Sequence, residues 1–273
     1  MGGYWSSQTQ QEQVVRKYGW RRDTPSEKDI YHNFAIARSQ DTIKSVDLRD
    51  RFPAVYDQGE LGSCTANGIA AVYEFDEMKE NEEKVFTPSR LFIYYNERKA
   101  NGTIDQDSGA SIRDAVMEIS KVGVCPETLW TYDIIKYTDC PPQECYDDAT
   151  KHKCIQYKRV QQTAKQIKQC LIEGFPIVFG IEVYASFETD DVKKTGVIPV
   201  PQQEEKYLGG HCIVLCGYDD DKKVFIFRNS WGTAWGDNGY GYLPYGYVLD
   251  SKLASDFWTV RQVQDDETDP NLN

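Results

Sequence analysis

Cys64 stands where a cysteine can become a nucleophile. The segment 58–66 reads QGELGSCTA, with glycines at 59 and 62 that permit a tight turn. Cys64 then falls in the first turn of a helix predicted over 63–80, where unpaired N–H groups and the helix dipole favour a thiolate. Its own N–H and the side-chain amide of Gln58 could donate to an oxyanion. Taken alone, the segment fits a buried structural cysteine equally well.

A histidine follows a glycine pair at the start of an apolar strand. Segment 209–218 reads GGHCIVLCGY and places His211 where a base could face a cleft. Its neighbours Cys212 and Cys216 fit small core residues of that strand. A lone histidine is more often a hydrogen-bonded core residue. His32 and His152, the other two histidines, lack a comparable setting.

An asparagine and two tryptophans lie in the glycine-rich segment 228–242, RNSWGTAWGDNGYGY. A catalytic imidazolium needs an acceptor on its second ring nitrogen, and the side-chain oxygen of Asn229 can provide it. Trp231 could cover that contact and exclude water, which would strengthen it. A glycine- and tryptophan-rich turn with only a packing role is the alternative. The doubled pattern of tryptophan and glycine is hard to explain that way.

Together, these three segments resemble the papain family of cysteine peptidases, cathepsins included. The order Cys64, His211, Asn229 is that family's order; His211 comes 147 positions after Cys64, and Asn229 comes 18 positions after His211. The resemblance extends over about residues 45–264. It implies a helical lobe that carries Cys64, a barrel-like β lobe that carries His211 and Asn229, and hydrolysis through an acyl-enzyme.

The resemblance also implies roles for other residues. Gln58 takes the oxyanion-hole position, and Trp231 covers the Asn–His pair. Polypeptide substrates are the implied partners, and no cofactor or metal is implied. The residues implied to bind substrate, with Gly109 as the backbone that pairs with it, are Ser108, Gly109, Gly210 and Trp235.

The chain departs from the family at its usual disulfide beside the active site. Leu61 occupies one cysteine position, and the segment 105–109, DQDSG, lacks the other. Loss of both halves fits a chain that folds without oxidation. The start of the sequence lacks a basic end followed by an apolar stretch, so no secretory signal is predicted. We therefore treat the eight cysteines as thiols and expect a cytoplasmic protein, or one packaged in a particle or compartment.

Four possible zinc ligands lie within fifteen residues: Cys140, Cys145, His152 and Cys154. These are the residue types that bind zinc, but the Cys-x-x-Cys knuckle is absent. The spacing therefore favours disulfide pairing or free surface thiols over a metal site.

The sequence predicts an α+β fold with two lobes and a cleft between them. Helices come first and strands later, with a helical lobe over about 45–157 and a β lobe over about 158–264. A polar, turn-rich excursion is predicted at 133–157, and no stretch is apolar enough to span a membrane. Helices are expected over 63–80, 88–98, 109–122 and 163–173, and strands over 176–183, 211–218, 223–229 and 240–243.

The N-terminal arm differs in charge from the rest of the chain. The net charge is −12, yet residues 1–45 carry seven Lys/Arg and five Asp/Glu, a net of +2, which leaves −14 for the rest. No basic run is present, which argues against nucleic-acid binding. The aromatic arm at 1–44 is too short for the usual inhibitory segment of family proenzymes. It is nevertheless predicted to pack on the body and lower activity as an intramolecular inhibitor, with docking elsewhere as the alternative. The tail, 265–273, is acidic.

Three functions fit these residues. The first is a papain-like peptidase, endo- or exo-acting, which inhibition by the arm would make a zymogen. The second is a thiol acyl-transferase or transpeptidase that passes the same acyl group to an amine. The third is a non-catalytic peptide-binding module, against which the intact Cys, His, Asn and Gln argue.

Overall fold

The computed structural model describes residues 15–32, 42–80 and 85–263. Seven α-helices and eight strands lie in these ranges. The helices are α1 (Cys64–Glu80), α2 (Arg90–Ala100), α3 (Ile112–Lys121), α4 (Gln143–Ala149), α5 (Ala164–Ile172), α6 (Asp190–Thr195) and α7 (Tyr245–Val248). The strands are β1 (Tyr31–His32), β2 (Ser45–Asp47), β3 (Cys154–Val160), β4 (Ile177–Tyr184), β5 (Tyr207–Asp219), β6 (Val224–Arg228), β7 (Tyr240–Pro244) and β8 (Ala254–Val263).

The strands form one mostly antiparallel sheet in the order β1-β3-β8-β4-β5-β6-β7, with β2 paired to β5. The β4–β5–β6–β7 run is a meander that puts His211 opposite Ile181 and Arg228 opposite Val214. β1, which belongs to the arm, pairs in parallel with β3. This register brings the start of β5 and the end of β6 to one side of the molecule.

α1 is the central helix of the other layer. It packs against β5 and β8 on one side and against α2 and α3 on the other. Residues 64–77 of this helix are all buried, including the polar Asn67 and Glu74. An amphipathic stripe is not needed where a helix is covered on all sides. Its first residue, Cys64, thus lies where the helical layer meets the sheet, as expected for a two-lobed α+β fold.

Most predicted elements are present within a few residues of their expected bounds. Three strands were not predicted: β1 in the arm, β8 at the end of the domain, and β3, which begins in the supposed surface excursion at 133–157. β3 and β8 carry polar or charged residues between apolar ones, and they pair with each other across irregular register. β2 and β3 belong to the sheet although both begin within 45–157. The predicted tail, 265–273, lies outside the described residues.

Arg228 ties the sheet to the segment that leads to Gln58. Its guanidinium donates to the carbonyl oxygens of Pro53 and Ala54 at 2.7 and 2.6 Å, and its side chain is buried. Tyr56 lies under the same cation, with 4.9 Å between the guanidinium carbon and the ring centre. A buried charged donor that satisfies two carbonyls is costly to remove, because the acceptors stay buried.

We expect Arg228→Met to lower the free energy of unfolding by about 2–4 kcal/mol, because two carbonyls lose a charged donor. Urea unfolding of the full chain measures it. Lys222→Met is the control, since Lys222 forms an ion pair with Asp219 while its side chain is 74% exposed; it should cost under about 0.5 kcal/mol. Equal losses in the two variants would contradict the role given to Arg228.

Candidate active site

Cys64 begins α1 and is fully buried. The helix starts at this point because the N–H of Asn67 donates to the carbonyl of Ser63 at 3.0 Å. Backbone N–H groups of Cys212, Gly19 and Thr65 near the sulfur act to lower the pKa of the Cys64 thiol. Burial nevertheless outweighs these contacts and raises the pKa of the Cys64 thiol to about 11. In this state the thiol is neutral.

His211 lies on β5, one position before the Cys212 N–H that reaches the Cys64 sulfur. Its Nε2 and the Oδ1 of Asn229 are 2.8 Å apart. The ring is fully buried and its Nδ1 has no hydrogen-bond partner among the described residues. Burial lowers the pKa of His211 to about 4, against the raising effect of the Asn229 contact. The imidazole is therefore neutral as well. Its Nε2 is held by Asn229, and its Nδ1 makes no hydrogen bond to the described residues.

Asn229 follows β6 directly, and its backbone N–H donates to Gly239 at 3.0 Å. Its Oδ1 also accepts the N–H of Ser230 at 2.8 Å, which fixes the amide orientation. Trp231 stacks on His211, with ring centres 4.9 Å apart and 27° between the planes. The indole therefore lies over the imidazole that contacts Asn229.

Gln58 is fully buried beside these groups. Its Oε1 accepts the Ser230 hydroxyl at 2.6 Å, which directs Nε2 the other way. Nε2 donates to Leu61 O at 2.9 Å and to Lys17 O, a carbonyl of the arm, at 3.3 Å. An amide fixed in this way is a preformed donor for an oxyanion, with an arm carbonyl now at that donor.

Aromatic rings form one wall of the site. Trp235, predicted to bind substrate, is buried and stacks on Phe187 at 5.9 Å with 16° between the planes. It meets Trp231 edge to face at 5.6 Å. Trp235 therefore supports Trp231 from behind and contributes little open surface in this state.

The N-terminal arm runs through the site. Gly19 O accepts the N–H of Ala110 at 2.9 Å, and the N–H of Arg21 donates to Ala110 O at 2.9 Å. A Cβ on Gly19 would lie 1.7 Å from Gly62 O, so only glycine fits beside the turn that precedes Cys64. Trp20 is buried next to this contact.

The predicted substrate-binding residues differ in how they contact the arm. Gly210 O accepts the N–H of Trp20 at 2.9 Å. Gly109 has φ +65°, and a Cβ there would lie 1.8 Å from Gly19 O, so it also permits close backbone approach. The hydroxyl of Ser108 instead forms a hydrogen bond with the hydroxyl of Thr103, at 2.8 Å. Ala110, which the sequence did not single out, provides the backbone pairing.

Beyond the cleft, the arm is fixed by a buried carboxylate. Asp23 accepts hydrogen bonds from Arg159 at 2.7 Å, from the Trp258 indole at 2.8 Å and from the backbone N–H of Arg113 at 3.0 Å. Asp29 forms ion pairs with Arg113 and Arg159. Residues 1–14 and 33–41 of the predicted arm lie outside the described residues.

The possible zinc ligands do not form a metal site. No group of three or more His, Cys, Asp or Glu side chains is placed to hold an ion in the part of the chain that the structure describes. All eight cysteines are free thiols. Cys145 lies against Cys125 in a small apolar cluster, Cys154 is buried in β3, and Cys140 is exposed. Within the described ranges, none of the helices has the length and hydrophobicity of a membrane span.

Ser230 and the arm residues Tyr18 and Gly19 were missed at the sequence level. Ser230 lies inside the segment 228–242, so its position next to Asn229 was a usable signal. Tyr18 places its ring 6.0 Å from that of His211 and its hydroxyl on Glu188. Nothing in the local pattern of the arm indicates which of its aromatic residues enters the cleft.

Comparisons with known proteins agree with this geometry. Residues 42–257 match the model of the papain family of cysteine proteases. An uncharacterized peptidase C1-like protein, L477, of Acanthamoeba polyphaga mimivirus is 41% identical over 95% of this chain and 90% of its own length. Cysteine proteinase 3 of Entamoeba histolytica is 26% identical over 72% of this chain and 61% of its own.

Solved structures give the same result. Xylellain, a cysteine protease from Xylella fastidiosa, is 37% identical with a TM-score of 0.83 and covers 92% of this chain and 100% of its own. Digestive procathepsin L 3 of Tenebrio molitor, at 17% identity and a TM-score of 0.65 over 86% of this chain and 75% of its own, shares the fold. The chain therefore belongs to the papain family of cysteine peptidases.

Proposed function

We propose that this peptidase cleaves peptide bonds through an acyl-enzyme on Cys64 and that its N-terminal arm keeps it latent. In the open enzyme His211 holds the proton of Cys64, and the Cys64 thiolate attacks the scissile carbonyl carbon. His211 then returns the proton to the leaving amine, and water hydrolyses the thioester with His211 as base. The observation that carries the proposal is the 2.8 Å contact between His211 and Asn229, covered by Trp231, one residue from a contact with the Cys64 sulfur.

The oxyanion would be held by two donors that are already in place. Gln58 Nε2 is oriented by the Ser230 hydroxyl, and the Cys64 N–H lies in the first turn of α1. Fixed donors need no reorganisation as negative charge develops on the carbonyl oxygen. Mutation of a single donor of this kind lowers kcat by about 100-fold or more in enzymes.

The arm supports latency because it occupies the site without being a substrate for it. Gly19 packs against Gly62 in the turn before Cys64, and its carbonyl oxygen is engaged by the Ala110 N–H at 2.9 Å. An arm carbonyl, Lys17 O, holds the Gln58 amide at 3.3 Å. Attack on another peptide therefore requires that residues 17–19 leave.

Burial by the arm also supports latency through electrostatics. Active papain-family chemistry needs a thiolate beside an imidazolium. With the arm docked, the pKa of Cys64 is raised to about 11 and that of His211 lowered to about 4, both mainly by desolvation. The neutral pair is therefore the stable form near pH 7, and departure of the arm would return water to both groups.

We expect Gly19→Ala to raise peptide hydrolysis by the full chain about tenfold or more. The new methyl would overlap Gly62 O, so the docked arm loses population to an open state. Turnover of a fluorogenic peptide measures it. Gly246→Ala is the matched control, because a Cβ at Gly246 meets nothing within 4 Å. Unchanged turnover in Gly19→Ala would contradict inhibition by the arm.

In the Gly19→Ala background, we expect Cys64→Ala to abolish hydrolysis. The free energy of unfolding should change by no more than about 1 kcal/mol, since the removed sulfur is small. Cys216→Ala, which removes a different buried thiol, one that lies in β5, is the control and should retain turnover. Peptide hydrolysis and urea unfolding are measured on each variant. Residual turnover in Cys64→Ala comparable to the control would refute the assignment of the nucleophile.

A further inference from the structure

On one side of Cys64, the arm places two cations on acidic residues of the cleft rim. Arg16 pairs with Asp57 at 2.5 Å, and Lys17 pairs with Asp107 at 3.0 Å. With the arm docked, the Asp107 side chain is 11% exposed and that of Asp57 is 52% exposed. Both carboxylates therefore lie along the path of the docked arm.

The acidic rim continues along the rest of the arm. Arg22 pairs with Glu182 of β4 at 2.6 Å, beyond Trp20. Next to His211, the Tyr18 hydroxyl donates to Glu188. Four carboxylates spread along the cleft thus each accept a donor from residues 16–22, and three of those donors are cations.

Neutral groups of the body donate hydrogen bonds to two of these carboxylates. Asp107 accepts the Gly62 N–H at 3.0 Å and the Tyr94 hydroxyl at 2.5 Å. Asp57 accepts the Gly59 N–H at 2.9 Å. These contacts hold the carboxylates in place, while the ion pairs that Asp57 and Asp107 form among the described residues are with the arm cations Arg16 and Lys17.

An aromatic face beside the rim also takes a cation from the arm. The guanidinium carbon of Arg16 lies 5.7 Å from the centre of the Trp231 ring. Guanidinium groups bind both to carboxylates and to aromatic faces. The arm is thus a bound polypeptide whose charges match the cleft, and it shows what side chains this surface accepts.

We propose that the opened cleft selects polypeptide substrates rich in Lys and Arg, with Asp57, Asp107, Glu182 and Glu188 as its specificity-determining residues. The inference rests on the proposed peptidase function and names its substrate class. A cleft lined by charges of one sign concentrates ligands of the opposite sign and raises their association rate. The body, which carries −14 outside residues 1–45, adds to the same field.

The test uses full-length Gly19→Ala protein and three peptides of identical length and scissile bond. They differ at four flanking positions, which hold Arg, Gln or Glu. We expect kcat/KM for the Arg peptide to exceed that for the Glu peptide about tenfold or more at about 0.1 M salt. The difference should shrink at about 1 M salt, where the Debye length falls to about 3 Å.

Glu182→Gln with Glu188→Gln tests the rim itself. The pair should reduce the preference for Arg severalfold, while Glu144→Gln with Asp147→Asn, which removes two exposed carboxylates of α4, should leave it unchanged. Equal kcat/KM for the Arg and Glu peptides at low salt would overturn the proposal. An equal effect of the two double variants would overturn it as well, because overall charge alone would then explain the preference.

Binding separates this proposal from the proposed function. Fluorescence anisotropy of the same peptides on full-length protein with Gly19→Ala and Cys64→Ala needs no turnover. Tighter binding of the Arg peptide supports the acidic cleft even where no variant hydrolyses any peptide, which would refute only the peptidase proposal. Equal binding of the three peptides refutes the acidic cleft.

Discussion

The contact between the Gly19 and Gly62 backbones is the constraint on which the described state depends. Two chains can approach this closely only where neither carries a side chain, and a Cβ on Gly19 would lie 1.7 Å from Gly62 O. The contact lies at the turn that brings Cys64 to the start of α1. Any peptide that is to reach the sulfur must take the same space.

In the proposed account, this contact also keeps the Cys64–His211 pair uncharged. Helix position favours a thiolate at Cys64, and the Asn229 contact favours an imidazolium at His211. Desolvation acts in the opposite direction on both groups and dominates while the arm is docked. On the same proposal, a single backbone segment blocks access to Cys64 and stabilises the unreactive protonation state.

The arm is held by contacts of two kinds. In the cleft, glycine contacts and ion pairs at the rim are individually weak and partly exposed. Beyond the cleft, Asp23 is buried among Arg159, Trp258 and the backbone of Arg113. This division suits a segment that opens at the active site while its far end stays attached to the sheet.

Much of the site could be predicted from the sequence because its chemistry lies in short, contiguous segments. Cys64, His211 and Asn229 each lie beside a glycine, a helix start or a strand end, which the local sequence indicates without knowledge of the tertiary contacts. The path of the arm could not be predicted, because it depends on the contact of Gly19 with Gly62, which lies 43 positions away in the sequence. β8 was missed for a similar reason: its polar residues are accommodated by pairing with β3 and β4, which no local pattern encodes.

The most direct test of this account is the pH dependence of Cys64 alkylation by iodoacetamide, measured by mass spectrometry on the full chain and on its Gly19→Ala variant. For the full chain, the raised thiol pKa of about 11 predicts slow alkylation near neutral pH and a rise only above about pH 9. For the variant, rehydration of both groups predicts fast alkylation already at about pH 6. If the full chain reacts at pH 6 as fast as the variant does, the arm does not control the catalytic pair.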